Sequence, residues 1–177
     1  MTVPGTDTLR GSAAAFAASE PWPPAALAVV AGQELARATE WPLWTYLELR
    51  ALPVSARSAR LHVRSILREW RIDALTDTVE LLVSELITNA VRASSFIATQ
   101  PEKSGPVPRI RFWLTSDRES VLIQVWDSDH RRPVQQDEEL DAEAGRGLLL
   151  VDTLSARWGC CAPDGQAGKI VWALCAQ

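Results

Sequence analysis

Apolar positions repeat with a helical period over two neighbouring segments of the chain. Residues 74–95 contain no Pro or Gly, and their apolar stripe consists of Leu75, Val79, Leu82, Val83, Leu86, Ile87 and Ala90. This spacing predicts one long amphipathic helix. Residues 55–70 show the same period, which predicts a second helix with Ser55 as its capping residue.

Five further segments are predicted to be β-strands, from their aromatic and β-branched residues or from the turns that bound them. A polar turn at 116–119 separates two of these segments, and Pro163 and Gly165 lie between the last two. Each of these two pairs is therefore predicted to form a hairpin. The predicted strands cover residues 43–52, 109–115, 120–126, 157–161 and 169–175.

The order of these elements predicts the fold class. A strand, two helices, two strands, a loop, a helix and two strands suit an α+β sandwich with helices on one face of a mixed or antiparallel sheet. We assign this domain to residues 43–177. Residues 1–42 are predicted to form an N-terminal tail or appendage that is partly disordered, because residues 1–24 show neither a helical nor a strand period.

Composition and charge narrow the range of functions. A chain of 177 residues suits one domain, and a net charge of −4 without segregated basic residues argues against direct nucleic-acid binding and against a polybasic membrane contact. The chain has no apolar run long enough to cross a membrane. Its three cysteines are too few and too irregular for a disulfide framework, so we expect a cytoplasmic protein.

Two polar residues of the long helix are candidates for ligand binding. Glu85 and Asn89 are four positions apart and therefore face the same side of the helix, at the border of its apolar stripe. The pair can share one ligand at the wall of a pocket. Such pairs are also common as ordinary solvated neighbours on helix surfaces, and from the spacing alone both interpretations stay open.

Two other segments have chemistry that suits a nucleotide. Asp127 ends a strongly apolar strand, where its carboxylate can accept a hydrogen bond from a ligand amine. Gly145 and Gly147 allow backbone N–H groups to approach an anion before a predicted helix, and Arg146 adds a positive charge. Each segment also has an ordinary interpretation, as a turn or as a flexible lead into a helix.

Taken together, the three segments resemble a known family. The three segments are ELITNAV at 85–91, VWD at 125–127 and GRGLLLV at 145–151. In order and spacing they are similar to segments of the ATP-binding domain of gyrase, Hsp90, histidine kinases and mismatch-repair ATPases. This is the GHKL superfamily, whose domain is the Bergerat fold. The likeness covers about residues 43–177, and residues 157–159 and 168–172 resemble the stand-alone anti-sigma-factor serine kinases of actinobacteria.

The resemblance implies a role for each candidate residue. Glu85 matches the general base, Asn89 the ligand of Mg²⁺, and Asp127 the acceptor for the adenine amine. The polar loop at 127–144 matches the lid over ATP, and Ile170 stands where many relatives carry a Thr that supports the adenine-binding Asp. The cofactor-binding residues that lie beside the phosphates are Gly145, Arg146 and Gly147.

The function implied by this resemblance is an ATP- and Mg²⁺-dependent serine protein kinase that regulates transcription. Such a protein binds a sigma factor and phosphorylates a small antagonist protein, and the resemblance also admits a homodimer. One alternative is a non-catalytic binding module of the same fold, in which nucleotide gates a partner surface. A second alternative is an α+β domain that binds no nucleotide.

Overall fold

A computed structural model of the chain describes residues 8–12, 41–98, 106–133, 142–163 and 167–176. Within these residues, six strands form one sheet in which every pair of neighbours is antiparallel. The order across the sheet is β1-β2-β3-β4-β6-β5. The strands are β1 (Thr8–Ser12), β2 (Leu43–Arg50), β3 (Arg109–Ser116), β4 (Ser120–Asp127), β5 (Arg157–Cys161) and β6 (Lys169–Ala176).

In the described residues, three α-helices accompany the sheet: α1 (Val54–Trp70), α2 (Thr76–Ala98) and α3 (Ala142–Leu154). A single 3₁₀ turn, Asp73–Leu75, connects the first two. The predicted cap of α1 is wrong, because Pro53 occupies the N-cap position and no side chain caps the helix. Ser55 lies buried inside the first turn, where its hydroxyl donates a hydrogen bond of 2.6 Å to the carbonyl of Arg50.

The core lies between the helices and one face of the sheet. Alternate residues of β4, among them Val121, Ile123 and Val125, are fully buried in the same cluster as the apolar stripe of α2. This arrangement follows from the two periods, because alternate strand residues point to one face and every third or fourth helix residue points back toward it. The predicted α+β sandwich, with its two hairpins and two adjacent helices, is confirmed.

The structure differs from the sequence prediction near the start of the chain. The residues of β1 show no strand period, yet they pair with β2 along five residues at the edge of the sheet. An edge strand of this length gains its hydrogen bonds from its neighbour and needs no apolar alternation of its own. Residues 1–7 and 13–40 of the predicted N-terminal appendage lie outside the described residues.

Gly145, Arg146 and Gly147 are also placed differently from the prediction. They were expected to precede a helix, whereas α3 already begins at Ala142 and includes all three. Residues 142–144 are good helix formers, and Gly inside a helix costs only about 1 kcal/mol relative to Ala. Burial of Leu148 and Val151 against the rest of the protein offsets that cost.

No helix in the described segments combines the length and the apolar character that a membrane span requires.

Candidate functional site

A cavity of about 320 Å³ opens between α2 and the end of β4. Its apolar lining comes from Leu86 and Ala90 of α2 and from Val125 and Val171 of the sheet. This volume falls within the range of roughly 300 to 1,000 Å³ that small-molecule sites occupy. The cavity is also lined by polar side chains, which come from α2, from β4 and the loop that follows it, and from β6. Among them are Asn89, Arg92, Asp127, Asp129, Arg131 and Lys169.

Asn89 presents an unsatisfied polar group at this cavity. Its Nδ2 atom is buried and has no hydrogen-bond partner among the described residues. Buried polar atoms in proteins are nearly always hydrogen-bonded, and leaving one unpaired costs about 1 to 3 kcal/mol. The orphaned amide therefore points to a ligand as its partner.

Glu85 and Gly147 lie against each other beside Asn89. A Cβ atom added to Gly147 would lie 2.6 Å from Oε2 of Glu85 and 3.7 Å from Oδ1 of Asn89. The backbone of α3 can therefore approach the two side chains of α2 only because residue 147 has no side chain. The structure brings together three of the six predicted site residues here, namely Glu85, Asn89 and Gly147.

Asp127 forms a second polar centre of the cavity, together with Lys169. The register of β4 and β6 places the two residues directly opposite each other. Nζ of Lys169 donates a hydrogen bond of 2.8 Å to Oδ1 of Asp127, and both side chains are almost completely buried. Burial raises the pKa of the Asp127 carboxyl, and the hydrogen bond from Lys169 opposes that shift.

Asp129 continues this polar network toward Arg131. The guanidinium of Arg131 donates to both carboxylate oxygens of Asp129, with a shortest distance of 2.8 Å. Burial alone would raise the pKa of Asp129, but the hydrogen bonds from Arg131 and the charge of Lys169 outweigh it and lower that pKa. Lys169 also donates to the backbone carbonyl of Asp129 at 3.0 Å, so one ammonium group links both aspartates.

The two oxygens of Asp127 have different surroundings. Oδ1 accepts hydrogen bonds from Lys169 and from the backbone N–H of Asp129. Oδ2 accepts no hydrogen bond from a described residue. Because Asp127 lines the cavity, this oxygen is left as an acceptor for a ligand. A ligand amine can be recognised by that oxygen.

The residue beside Asp127 is Lys169, whereas the family resemblance pointed to position 170. Ile170 pairs with Trp126, so its side chain lies on the opposite face of the sheet from Asp127. Lys169 takes the place next to the carboxylate. The sequence offered one weak signal for this role, because Lys169 is one of only two lysines in a chain whose other basic residues are arginines.

Gly145 and Arg146 are described only in part. Their backbone belongs to the second turn of α3, and the side chain of Arg146 lies outside the described part of the chain. The lid predicted at 127–144 is described up to residue 133 and again from residue 142. The contacts of Gly145 and Arg146 with phosphates stay predictions.

The polar groups in the cavity and beside it fit Mg²⁺ and a nucleotide. Asn89 and Glu85 carry the amide and carboxylate oxygens that Mg²⁺ takes as ligands, usually together with phosphate oxygens. The space in front of Gly147, which a Cβ would fill, lies next to both groups. The apolar lining and the free Oδ2 of Asp127 suit a purine with an amino group.

A comparison with protein families agrees with this geometry. The model of the histidine kinase-like ATPase domain matches residues 49–173, which is more than half of the chain and includes every residue of the cavity. No curated protein matches the chain.

Proposed function

The chain belongs to the family of histidine kinase-like ATPase domains, and from this premise we propose that it is a regulatory serine protein kinase of the anti-sigma type. An ATP-binding regulatory role follows from the family itself. The proposal adds the acceptor, a serine of a small antagonist protein, and a second partner, a sigma factor. The observation that carries it is the convergence of Glu85, Asn89 and Gly147 beside the cavity.

Phosphoryl transfer requires chiefly positioning and charge neutralisation, and the proposed site divides these tasks. Asn89 would hold Mg²⁺, which supplies positive charge to the phosphates when bound. Asp127 receives the adenine amine at Oδ2. Glu85 takes the proton of the serine hydroxyl while the serine oxygen bonds to the γ-phosphorus and the bond to ADP breaks.

The biological consequence is a switch between partners. A phosphate adds a charge of about −1.5 to −2 to the antagonist, which changes its affinity for any surface that it contacts. The protein then holds the sigma factor while the antagonist is phosphorylated, and it releases the sigma factor when unmodified antagonist competes. Transcription is regulated through that exchange.

Incubation with γ-labelled ATP and candidate antagonist proteins tests the proposal. We expect label on a serine of the antagonist with the wild type, and transfer about a hundredfold slower with Glu85→Gln, which keeps the shape of the side chain but cannot take a proton. Nucleotide affinity serves as the control, because Glu85→Gln should still bind ATP. Transfer by the Glu85→Gln variant at the wild-type rate would contradict the role of Glu85.

A second candidate function is a non-catalytic module whose partner surface is gated by nucleotide. One observation favours it: Lys169 already donates to Asp127, so the carboxylate is a weaker acceptor for adenine than an unpaired one. Tight binding of ATP without transfer to any antagonist would support this module. The absence of any thermal stabilisation by Mg-ATP would instead favour a domain that binds no nucleotide.

A further inference from the structure

Helix α1 carries a row of arginines on its exposed side. Residues 57, 60, 64 and 68 are three or four positions apart, so they lie along one face of the helix, and residue 71 follows as its C-cap; all five are exposed. The opposite face is buried in the core through Ala59, Val63 and Ile66. At 1.5 Å per residue the row is about 21 Å long. We name it the arginine stripe, and it consists of Arg57, Arg60, Arg64, Arg68 and Arg71.

Most of the stripe has no ion-pair partner among the residues that the structure describes. Arg64 donates to both carboxylate oxygens of Glu80, at 2.6 and 2.7 Å. The other four arginines make no ion pair with any described residue. Basic residues are not segregated along the chain, but α1 brings several of them together on one surface of a protein whose net charge is −4.

The stripe borders a shallow groove that already holds one carboxylate. Arg57, Arg60, Arg64 and Leu61 line it together with Glu80 of α2. The bidentate contact between Arg64 and Glu80 shows how a carboxylate is held there. Leu61 is 59% exposed and gives the same surface an apolar element.

We propose that the arginine stripe docks an acidic amphipathic helix of a partner protein. Glutamates four positions apart on such a helix repeat along its axis at about 6 Å, close to the roughly 4.5 to 6 Å between successive arginines of the stripe. A leucine on the edge of that helix would cover Leu61. This inference rests on the proposed function in one respect, namely that the protein binds a protein partner. Docking of the partner does not require phosphoryl transfer.

Two features favour an acidic protein over a nucleic acid or a membrane. The apolar side chains of Val54 and Leu61, each 59% exposed, lie beside the stripe and have no counterpart in a phosphate backbone. The net charge of −4 also makes the whole molecule repel a long polyanion, whereas a short acidic helix interacts mainly with the stripe.

Fluorescence anisotropy of a labelled synthetic peptide tests this inference. The probe is a helical peptide of about 15 residues, matched to the length of the stripe, with glutamates four positions apart and two leucines at the edge. The parallel probes are the same peptide with Gln in place of Glu, a DNA duplex of about 20 base pairs and vesicles of anionic phospholipid. The protein is the full chain.

The double variant Arg57→Gln/Arg60→Gln removes two charges from the stripe. Its matched control, Arg50→Gln/Arg157→Gln, removes two exposed arginines from other places on the surface. We expect the Kd for the acidic peptide to rise about fivefold to tenfold in the stripe variant and to stay within about twofold in the control. Raising the salt concentration from about 0.05 M to about 0.5 M should weaken the wild-type complex.

Three results would overturn the inference: no binding of the acidic peptide at low salt, equal binding by wild type and stripe variant, or tighter binding of DNA or vesicles than of the peptide. Mg-ATP affinity is measured on the same proteins. Loss of ATP binding with retained peptide binding would contradict the proposed function alone, and the reverse pattern would contradict the docking surface alone.

Discussion

Lys169 lies 2.8 Å from Asp127 across two neighbouring strands, and both side chains are almost completely buried. The same ammonium group donates to the carbonyl of Asp129 and lies 3.9 Å from its carboxylate. One lysine therefore holds two acidic residues together at the cavity. Its positive charge compensates the two carboxylates. It also holds the side chain of Asp127, whose other oxygen stays free, in the lining of the cavity.

Lys169→Met should destabilise the protein strongly. The substitution keeps most of the side-chain volume but leaves the Asp127 carboxylate buried without its cation, which costs about 3 kcal/mol. Urea unfolding at neutral pH followed by tryptophan fluorescence measures the free energy of unfolding. In the double variant Lys169→Met/Asp127→Asn the loss should be smaller than in Lys169→Met alone, because the unpaired charge is gone. An unchanged urea midpoint for Lys169→Met would contradict the ion pair.

Asn89→Ala should separate ligand binding from stability. Nδ2 makes no hydrogen bond to a described residue, so its removal should change the free energy of unfolding by less than about 1 kcal/mol. The Kd for ATP in the presence of Mg²⁺ should rise about tenfold or more. Calorimetric titration with and without Mg²⁺ measures this, with Asn89→Asp as the variant that keeps an oxygen ligand. Equal enhancement of binding by Mg²⁺ in Asn89→Ala and wild type would argue against a metal ligand at this position.

Gly147→Ala should abolish most of the activity without unfolding the protein. The new Cβ would lie 2.6 Å from Oε2 of Glu85, and the carboxylate has to move because it is the flexible end of a side chain. Alanine favours the helix by up to about 1 kcal/mol, so the thermal midpoint should not fall. Phosphoryl transfer should drop about a hundredfold, the typical contribution of a positioned general base.

The matched control for Gly147→Ala is the same substitution in the Glu85→Gln background. If the glycine acts only through the carboxylate, the second substitution should cause no additional loss of transfer, because the two effects are not additive. Full activity of Gly147→Ala in the wild-type background would show that the space in front of Gly147 is not needed.

The parts of the site that depend on local spacing could be predicted from the sequence. Glu85 and Asn89 share one helix face by their separation of four residues, and the stripe of α2 predicted which face meets the sheet. The contact between Asp127 and Lys169 spans 42 positions and depends on the register of β4 and β6. No local pattern encodes that register, so the sequence alone does not show that Lys169 lies beside Asp127.

The start of α3 and the arginine stripe are two further features that the sequence pattern did not predict, for different reasons. The start of α3 falls within the loop predicted at 127–144 because that stretch is polar and acidic, whereas the structure begins the helix at Ala142 and buries Leu148 and Val151. The arginine stripe has a local period that the sequence does contain. The net charge of the whole chain does not reveal it, because these arginines are concentrated along one side of α1.

The only tyrosine of the chain, Tyr46, has a phenol whose pKa is raised. Its side chain is buried, its hydroxyl donates to Glu48 at 3.2 Å, and its ring lies 5.3 Å from that of Trp113. Burial and the negative charge of Glu48 raise its pKa from 10.0 to about 12. Both effects disfavour the phenolate in the folded protein.

A spectroscopic titration of phenolate absorbance should therefore show a midpoint near 12 in the folded protein and near 10 in urea, since only Tyr46 contributes. A raised pKa means that the folded state retains the proton longer than the unfolded state. The stabilisation from the protonated phenol is complete below pH 10 and declines as the pH rises toward 12. Tyr46→Phe should remove both the absorbance change and this part of the decline, and Glu48→Gln should lower the folded midpoint. A folded midpoint at 10 would contradict the buried position of this hydroxyl in the sheet.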